Sequence, residues 1–199
     1  MSKTALIAVD VQNDYLPGGA LGFPNSDRII KPLVEFTKIT GCLTIVSRNL
    51  HPPDHRSFNL DRDADDPIDK VGDNGGHRPV NCVKGTRGAR VISELAPPVA
   101  HYVVTKGQSR DQGGYTAFEA GTLRPLESLE DILVREQIKY VTVGGYWLEH
   151  CVAQTAFDAN ALGYDTGIDL KLTIPLDLGE YSYNEFVKKF EKAGIKCTW

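Results

Sequence analysis

Residues 140–151 read YVTVGGYWLEHC, and residues 152–162, which follow directly, read VAQTAFDANAL. The first stretch starts as a β-branched apolar run and breaks at a glycine pair. The second has helical composition and is closed by Gly163. Strand, turn and helix in that order put Cys151 where a helix opens past the carboxyl end of a strand. Two other apolar runs also end in a reactive side chain: ALIAV runs into Asp10, and YVVT into Lys106. In a parallel sheet the carboxyl ends of the strands share one edge, and clefts form along it. A carboxylate, an ammonium and a thiol are therefore expected on one edge.

The rest of the chain fits such a sheet. Ala5–Val9, Leu43–Ser47, Tyr102–Thr105 and Tyr140–Val143 are predicted strands, and Ile195–Trp199 a short closing one. Apolar spacing at Ile29, Ile30, Leu33, Val34 and Phe36 predicts a helix within Arg28–Thr40, with Pro32 marking its start. Ser128 caps a predicted helix through LEDILVREQ, with acids in the first turn. Val152–Leu162 and Tyr183–Ala193 are predicted helices, each followed by glycine. Alternating strands and helices imply an α/β fold: one domain over 1–199, with a mostly parallel central sheet flanked by helices. Gly167 and Asp169 make 165–178 a weak candidate for a central strand. The stretch from Asn49 to Gly76, rich in Asp, Pro and Gly, reads as an irregular lid or pocket wall.

Composition narrows the function. The chain has 199 residues, 41% of them hydrophobic, enough for one substantial core. A net charge of −4 gives no electrostatic case for nucleic acid, and no apolar run reaches the roughly 20 residues of a membrane span. The opening MSKTALIAVDVQNDY lacks a signal-peptide core and reads as a first strand, so a cytoplasmic enzyme is expected. Cys42, Cys82 and Cys197 show no metal or redox spacing and read as reduced, buried thiols.

Cys151 differs from them by position. A helix start offers free amides and partial positive charge, which stabilise a thiolate and receive an oxyanion. Lys106 is expected to lower the thiol pKa, and Asp10 to take the thiol proton and return it to a leaving amine. That combination is the chemistry of a cysteine hydrolase. His150, beside Cys151, points elsewhere if the helix begins there and reads as a supporting residue; Glu149 is ambiguous. GTRGA at 85–89 and Gly113–Gly114 read as turn devices, since a phosphate cradle has another spacing.

Five segments carry a resemblance: AVDVQNDYLPGGAL at 8–21, HPPDHRSF at 51–58, NCVKGTRGA at 81–89, KGQSRDQGGYTAF at 106–118 and GYWLEHCVAQTAFDA at 145–159. In this order the chain resembles the nicotinamidase branch of the isochorismatase-like cysteine hydrolases. The resemblance implies an Asp10–Lys106–Cys151 triad and an oxyanion hole from the backbone amides of Trp147 and Cys151. It also implies a cis peptide at Tyr146–Trp147, with Tyr15 and Tyr146 in the substrate pocket. The implied reaction takes a small primary amide, nicotinamide first, to the acid and ammonia through a thioester. Members of the family often assemble into oligomers, but no interface stripe decides that here.

The chain departs from this pattern in three places. The resemblance implies a divalent metal, zinc or iron, held at the positions of Asn49, His51, His55 and Asn81. Two of these are now neutral amides, which are weak ligands for either metal, and His77 is a candidate replacement. Arg78 stands at a position of the pocket wall where the family has tryptophan; it fits a substrate ring, a substrate carboxylate or plain solvent. Trp147 replaces a small residue and serves as a stacking face, a plug or a core residue. Two alternatives follow: a metal-independent amidase with another small substrate, and a catalytically silent binding protein of the same fold.

Overall fold

In the computed structural model the described residues are 3–58, 78–111, 114–123, 125–176 and 180–199. The first strand, β1 (Thr4–Val9), is buried on both faces because its residues are apolar at every position after Thr4. Around it lie β2 (Leu43–Asn49), β3 (Tyr102–Lys106), β4 (Tyr140–Tyr146), β5 (Asp165–Ile174) and β6 (Lys196–Thr198). All neighbours pair in parallel, in the order β3-β2-β1-β4-β5-β6. The order of strands therefore reverses between β1 and β4, where the carboxyl ends open a crevice.

Four helices cover the sheet: α1 (Ile30–Thr40), α2 (Leu129–Arg135), α3 (Ala153–Ala161) and α4 (Glu180–Lys192). Alternate residues of β1 feed two separate cores. Ala5, Ile7 and Val9 pack with Leu129 and Ile132 of α2, Ala156 of α3 and Phe190 of α4. Leu6 and Ala8 pack with Leu33 of α1, Ile29, Leu95 and Tyr146. The result is a sheet between two helical layers, the α/β architecture expected from the sequence.

Most predicted elements are present within a residue or two. Ser128 makes a reciprocal capping box with Asp131, and α3 and α4 are followed by Gly163 and Gly194 in left-handed conformation. Pro32 does not delay α1, because it falls in the first turn, where a missing N–H costs no helical bond. Two differences matter more. β2 runs two residues past Ser47, so Asn49 ends a strand, in register with Lys106. And 165–174 is a full strand inside the sheet, against the weak expectation for it. It passes β4 with a register shift between Val143 and Gly145, and the Asp169 carboxylate accepts from the Lys171 amide inside that irregularity. A bulge thus absorbs Asp169, while Gly167 keeps regular pairing with Thr142 and Lys196. Of the irregular lid or pocket wall expected from Asn49 to Gly76, residues 59–76 lie outside the described residues, as does His77.

Candidate active site

Asp10 leaves β1 with φ of 55°, a left-handed turn that aspartate tolerates better than most residues. Its amide donates to the Ser47 carbonyl at 3.0 Å, and the Ser47 hydroxyl donates to Asp10 Oδ1 at 3.0 Å. The carboxylate is thereby turned into the crevice beside β4. Lys106, the last residue of β3, reaches across β2 to place Nζ 2.8 Å from Asp10 Oδ2 and 3.4 Å from Cys151 Sγ. The ammonium also donates to the carbonyls of Gly114 and Tyr115. Asp10 and Lys106 are fully buried, and Cys151 is 3% exposed. The three side chains brought forward from the sequence meet in one buried cluster.

Cys151 arrives there through a tight backbone. Gly145 has φ of 121°, and a Cβ on it would lie 2.0 Å from the Val9 carbonyl oxygen, so only glycine lets β4 pass β1 at this point. The Tyr146–Trp147 peptide is cis, as the resemblance implies. A π-type turn, Leu148–Val152, follows, and the Trp147 carbonyl accepts from the amides of His150 and Val152. Cys151 therefore lies inside this turn, two residues before the regular helix, which starts at Ala153.

Two electrostatic effects oppose each other at the sulfur. Burial pushes the Cys151 thiol up to about 11, and the nearby Lys106 ammonium pulls it down without offsetting the burial. Asp10 pushes the same way as burial, by its charge and by accepting the thiol hydrogen. The resting sulfur is thus a thiol hydrogen-bonded to a carboxylate; the pull expected from Lys106 is present but smaller than the effect of burial. For Lys106, burial favours the neutral amine, but Asp10 and then Cys151 outweigh it and hold the ammonium above its ordinary range.

An aromatic wall stands beside the cluster. Tyr15 stacks on Tyr146 with centroids 5.1 Å apart, and Trp147 stacks on Phe23 at 5.4 Å. Trp147 also leans on Tyr15 and Tyr146 and is 7% exposed, so its indole is largely enclosed. Tyr146 donates its hydroxyl to the Ser26 carbonyl at 2.6 Å. Arg78 is half-buried, with its guanidinium 5.5 Å from the centroid of the Tyr115 ring. Its charge reaches Tyr15, His51, His150 and Cys151, so it borders the cluster rather than open solvent. His150 lines a groove of about 500 Å³ with Tyr115, Glu149, Gln154 and Phe157.

Of the candidate metal ligands, His51 and His55 lie side by side, but the donor atoms suit zinc and iron poorly. The rings of His51 and His55 are 4.2 Å apart. His51 Nδ1 lies 2.9 Å from the Gly107 carbonyl, which only accepts, so Nδ1 carries the hydrogen and Nε2 keeps a lone pair. His55 is the reverse: the Ser57 amide donates to its Nδ1, which places the hydrogen on Nε2. Asn81 donates to the Pro79 carbonyl, and its buried Oδ1 has no hydrogen-bond partner in the structure. Among the described residues, one imidazole lone pair with amide oxygens is a poor donor set for zinc or iron. Among the described residues, no group of three or more His, Cys, Asp or Glu side chains is placed to hold a metal.

Sequence reading missed the residues that hold the cluster in place. Ser47 and Asn49 are polar at alternate positions near the end of an apolar strand, a pattern that points both toward Asp10. Gln12 is fully buried and clamps Asn49: it accepts from its amide at 2.8 Å and donates to its carbonyl at 2.8 Å. Asp14 Oδ2 accepts from the Cys82 amide at 2.6 Å and fastens segment 81–89 to the first turn.

Comparison with known proteins adds the family. The isochorismatase domain matches residues 4–169. A nicotinamidase of Acinetobacter baylyi is 30% identical over 180 residues, which cover 89% of this chain and 84% of the relative. A nicotinamidase of Escherichia coli is 31% identical over 173 residues, covering 84% and 81%. Among solved structures, the pyrazinamidase of Pyrococcus horikoshii in complex with zinc matches with a TM-score of 0.80 at 30% identity, over 99% of both chains.

Proposed function

The chain belongs to the isochorismatase domain family, and we propose on that footing that it is a cysteine amidohydrolase converting nicotinamide to nicotinate and ammonia. The observation that carries this reading is the buried contact of Lys106 Nζ with both Asp10 Oδ2 and Cys151 Sγ. The relatives' names supply the substrate.

Asp10 takes the thiol proton as Cys151 Sγ attacks the carboxamide carbon. The oxyanion is received by the backbone amides of Trp147 and Cys151. Collapse breaks the carbon–nitrogen bond, Asp10 gives its proton to the nitrogen, and ammonia leaves a thioester on Cys151. Water then adds to the thioester, its proton passes to Asp10, and the acid departs as the thiol is restored. Lys106 holds Asp10 in place and shares its charge with the sulfur as it ionises. Tyr15, Tyr146, Trp147 and Arg78 line the pocket. No step runs through a metal, because the donor set does not fit zinc or iron. Free thiols at Cys42, Cys82, Cys151 and Cys197 suit a reducing compartment, and the cytoplasm is the proposed location.

Arg78 favours a second reading: an amide or ureide that also carries a carboxylate, paired with the guanidinium beside the cluster. Ammonia release by the purified protein from nicotinamide, pyrazinamide and a panel of carboxylated amides and ureides separates the two. Turnover of nicotinamide above that of the charged amides supports the first reading. Turnover of charged amides alone replaces it with the second, and no turnover of any amide rejects both.

A further inference from the structure

Asn49 makes two contacts inside the cluster through a single nitrogen. Its Nδ2 donates to Asp10 Oδ2 at 2.9 Å and to the Tyr15 hydroxyl oxygen at 3.1 Å. A carboxylate only accepts, so the atom facing Asp10 has to be the amide nitrogen, and an aspartate at position 49 would set carboxylate against carboxylate. The Gln12 clamp on the Asn49 backbone fixes the direction from which this amide points. Lys106 and Asn49 together occupy both lone-pair directions of Asp10 Oδ2. Oδ1 accepts from Ser47, which leaves its second direction to the Cys151 thiol hydrogen.

We propose that Asn49 is a positioning residue for Asp10: it orders the base and the Tyr15 phenol by hydrogen bonds, and turnover needs no bound zinc or iron. The proposal rests on the cysteine-hydrolase reading above. The neighbouring side chains agree with it. His55 Nε2 carries its hydrogen, so of the two described histidines beside the cluster only His51 offers an imidazole lone pair at Nε2. A hydrogen-bonded amide at position 49 does for Asp10 what a cation bound nearby cannot: it donates directly to the oxygen.

The test uses wild type, Asn49→Ala and Asn49→Asp, each stripped with a strong chelator and assayed for ammonia release with and without added zinc. Stripped wild type should keep its kcat within about twofold, and both variants should lose kcat on the order of 100-fold with KM nearly unchanged. Asn49→Asp keeps the shape and loses the donor, so it separates hydrogen bonding from packing. Alkylation of Cys151 by iodoacetamide, followed by peptide mass, gives a readout independent of substrate and should slow in parallel. Loss of wild-type rate on chelation with recovery on zinc overturns the proposal, even if the variants fail to fold. So does either variant at wild-type kcat. If wild type releases no ammonia from any amide, the function reading fails, and alkylation still decides: equal rates for wild type and Asn49→Ala reject the positioning role.

Discussion

Lys106 Nζ lies 2.8 Å from Asp10 Oδ2, and neither side chain has any exposure to solvent. Removing one partner of such a pair leaves a buried charge unmatched, typically at about 3–5 kcal/mol. Lys106→Met should lose that much stability in urea denaturation. Adding Asp10→Asn should restore part of it, because the second change removes the orphaned charge. A double variant less stable than Lys106→Met would show that the two residues are not coupled.

Because burial holds the Cys151 thiol up to about 11, the sulfur depends on Asp10 to lose its proton at neutral pH. Cys151→Ala should abolish turnover with the fold intact. Asp10→Asn should slow acylation by about 100- to 10,000-fold at pH 7, the usual range for loss of a general base. The deficit should shrink as pH rises toward 11, where hydroxide deprotonates the thiol directly. Single-turnover rates against pH check this; acylation as fast in the variant at pH 7 would count against Asp10 as the base.

The same shift has a stability consequence. The native thiol titrates near 11 and an unfolded one near 9.0, so between these values the unfolded chain binds fewer protons and stability falls as pH rises. The raised Lys106 acts with the same sign: its contribution is complete below the ordinary lysine range and lost as pH climbs through the folded value. Urea midpoints across pH 8–11 should decline, and Cys151→Ala should flatten the decline.

At the acid end, burial lowers His150 to about 4 and likewise His51, with further lowering from charges nearby. Between 6.5 and 4 the unfolded chain takes up protons that the native one refuses, so stability falls as pH falls through that window. His150→Gln should reduce the slope of Tm against pH there. An unchanged slope would show that this imidazole titrates normally.

Trp147 is packed between Phe23, Tyr15 and Tyr146. Trp147→Ala should cost about 3–5 kcal/mol, the usual range for removing a large buried aromatic. Phe23→Ala should cost less than its own full burial energy when Trp147 is already absent, since the two share one contact. Urea denaturation of the single and double variants measures that coupling.

The sheet and the triad were legible because both depend on patterns local to each strand. Apolar runs mark β1, β3 and β4, and Asp10, Lys106 and Cys151 stand just past them or at their ends. β5 was hard to read because Gly167 and Asp169 weaken any strand pattern; Gly167 nonetheless pairs in regular register with Thr142, and the bulge against β4 accommodates Asp169. The thiol's net pKa was not legible for a similar reason: a sequence shows Lys106, which does lower it, whereas the burial that outweighs it belongs to the folded interior. Gln12, Ser47 and Asn49 were passed over as catalytic supports since their side-chain partners are at least 34 residues away along the chain.

The most direct measurement is mass spectrometry of protein quenched during turnover of nicotinamide. The expected result is an acyl adduct of nicotinic acid on the peptide containing Cys151, formed as ammonia appears and absent in Cys151→Ala. Ammonia release by Cys151→Ala at the wild-type rate, or an adduct on any other residue, would contradict it.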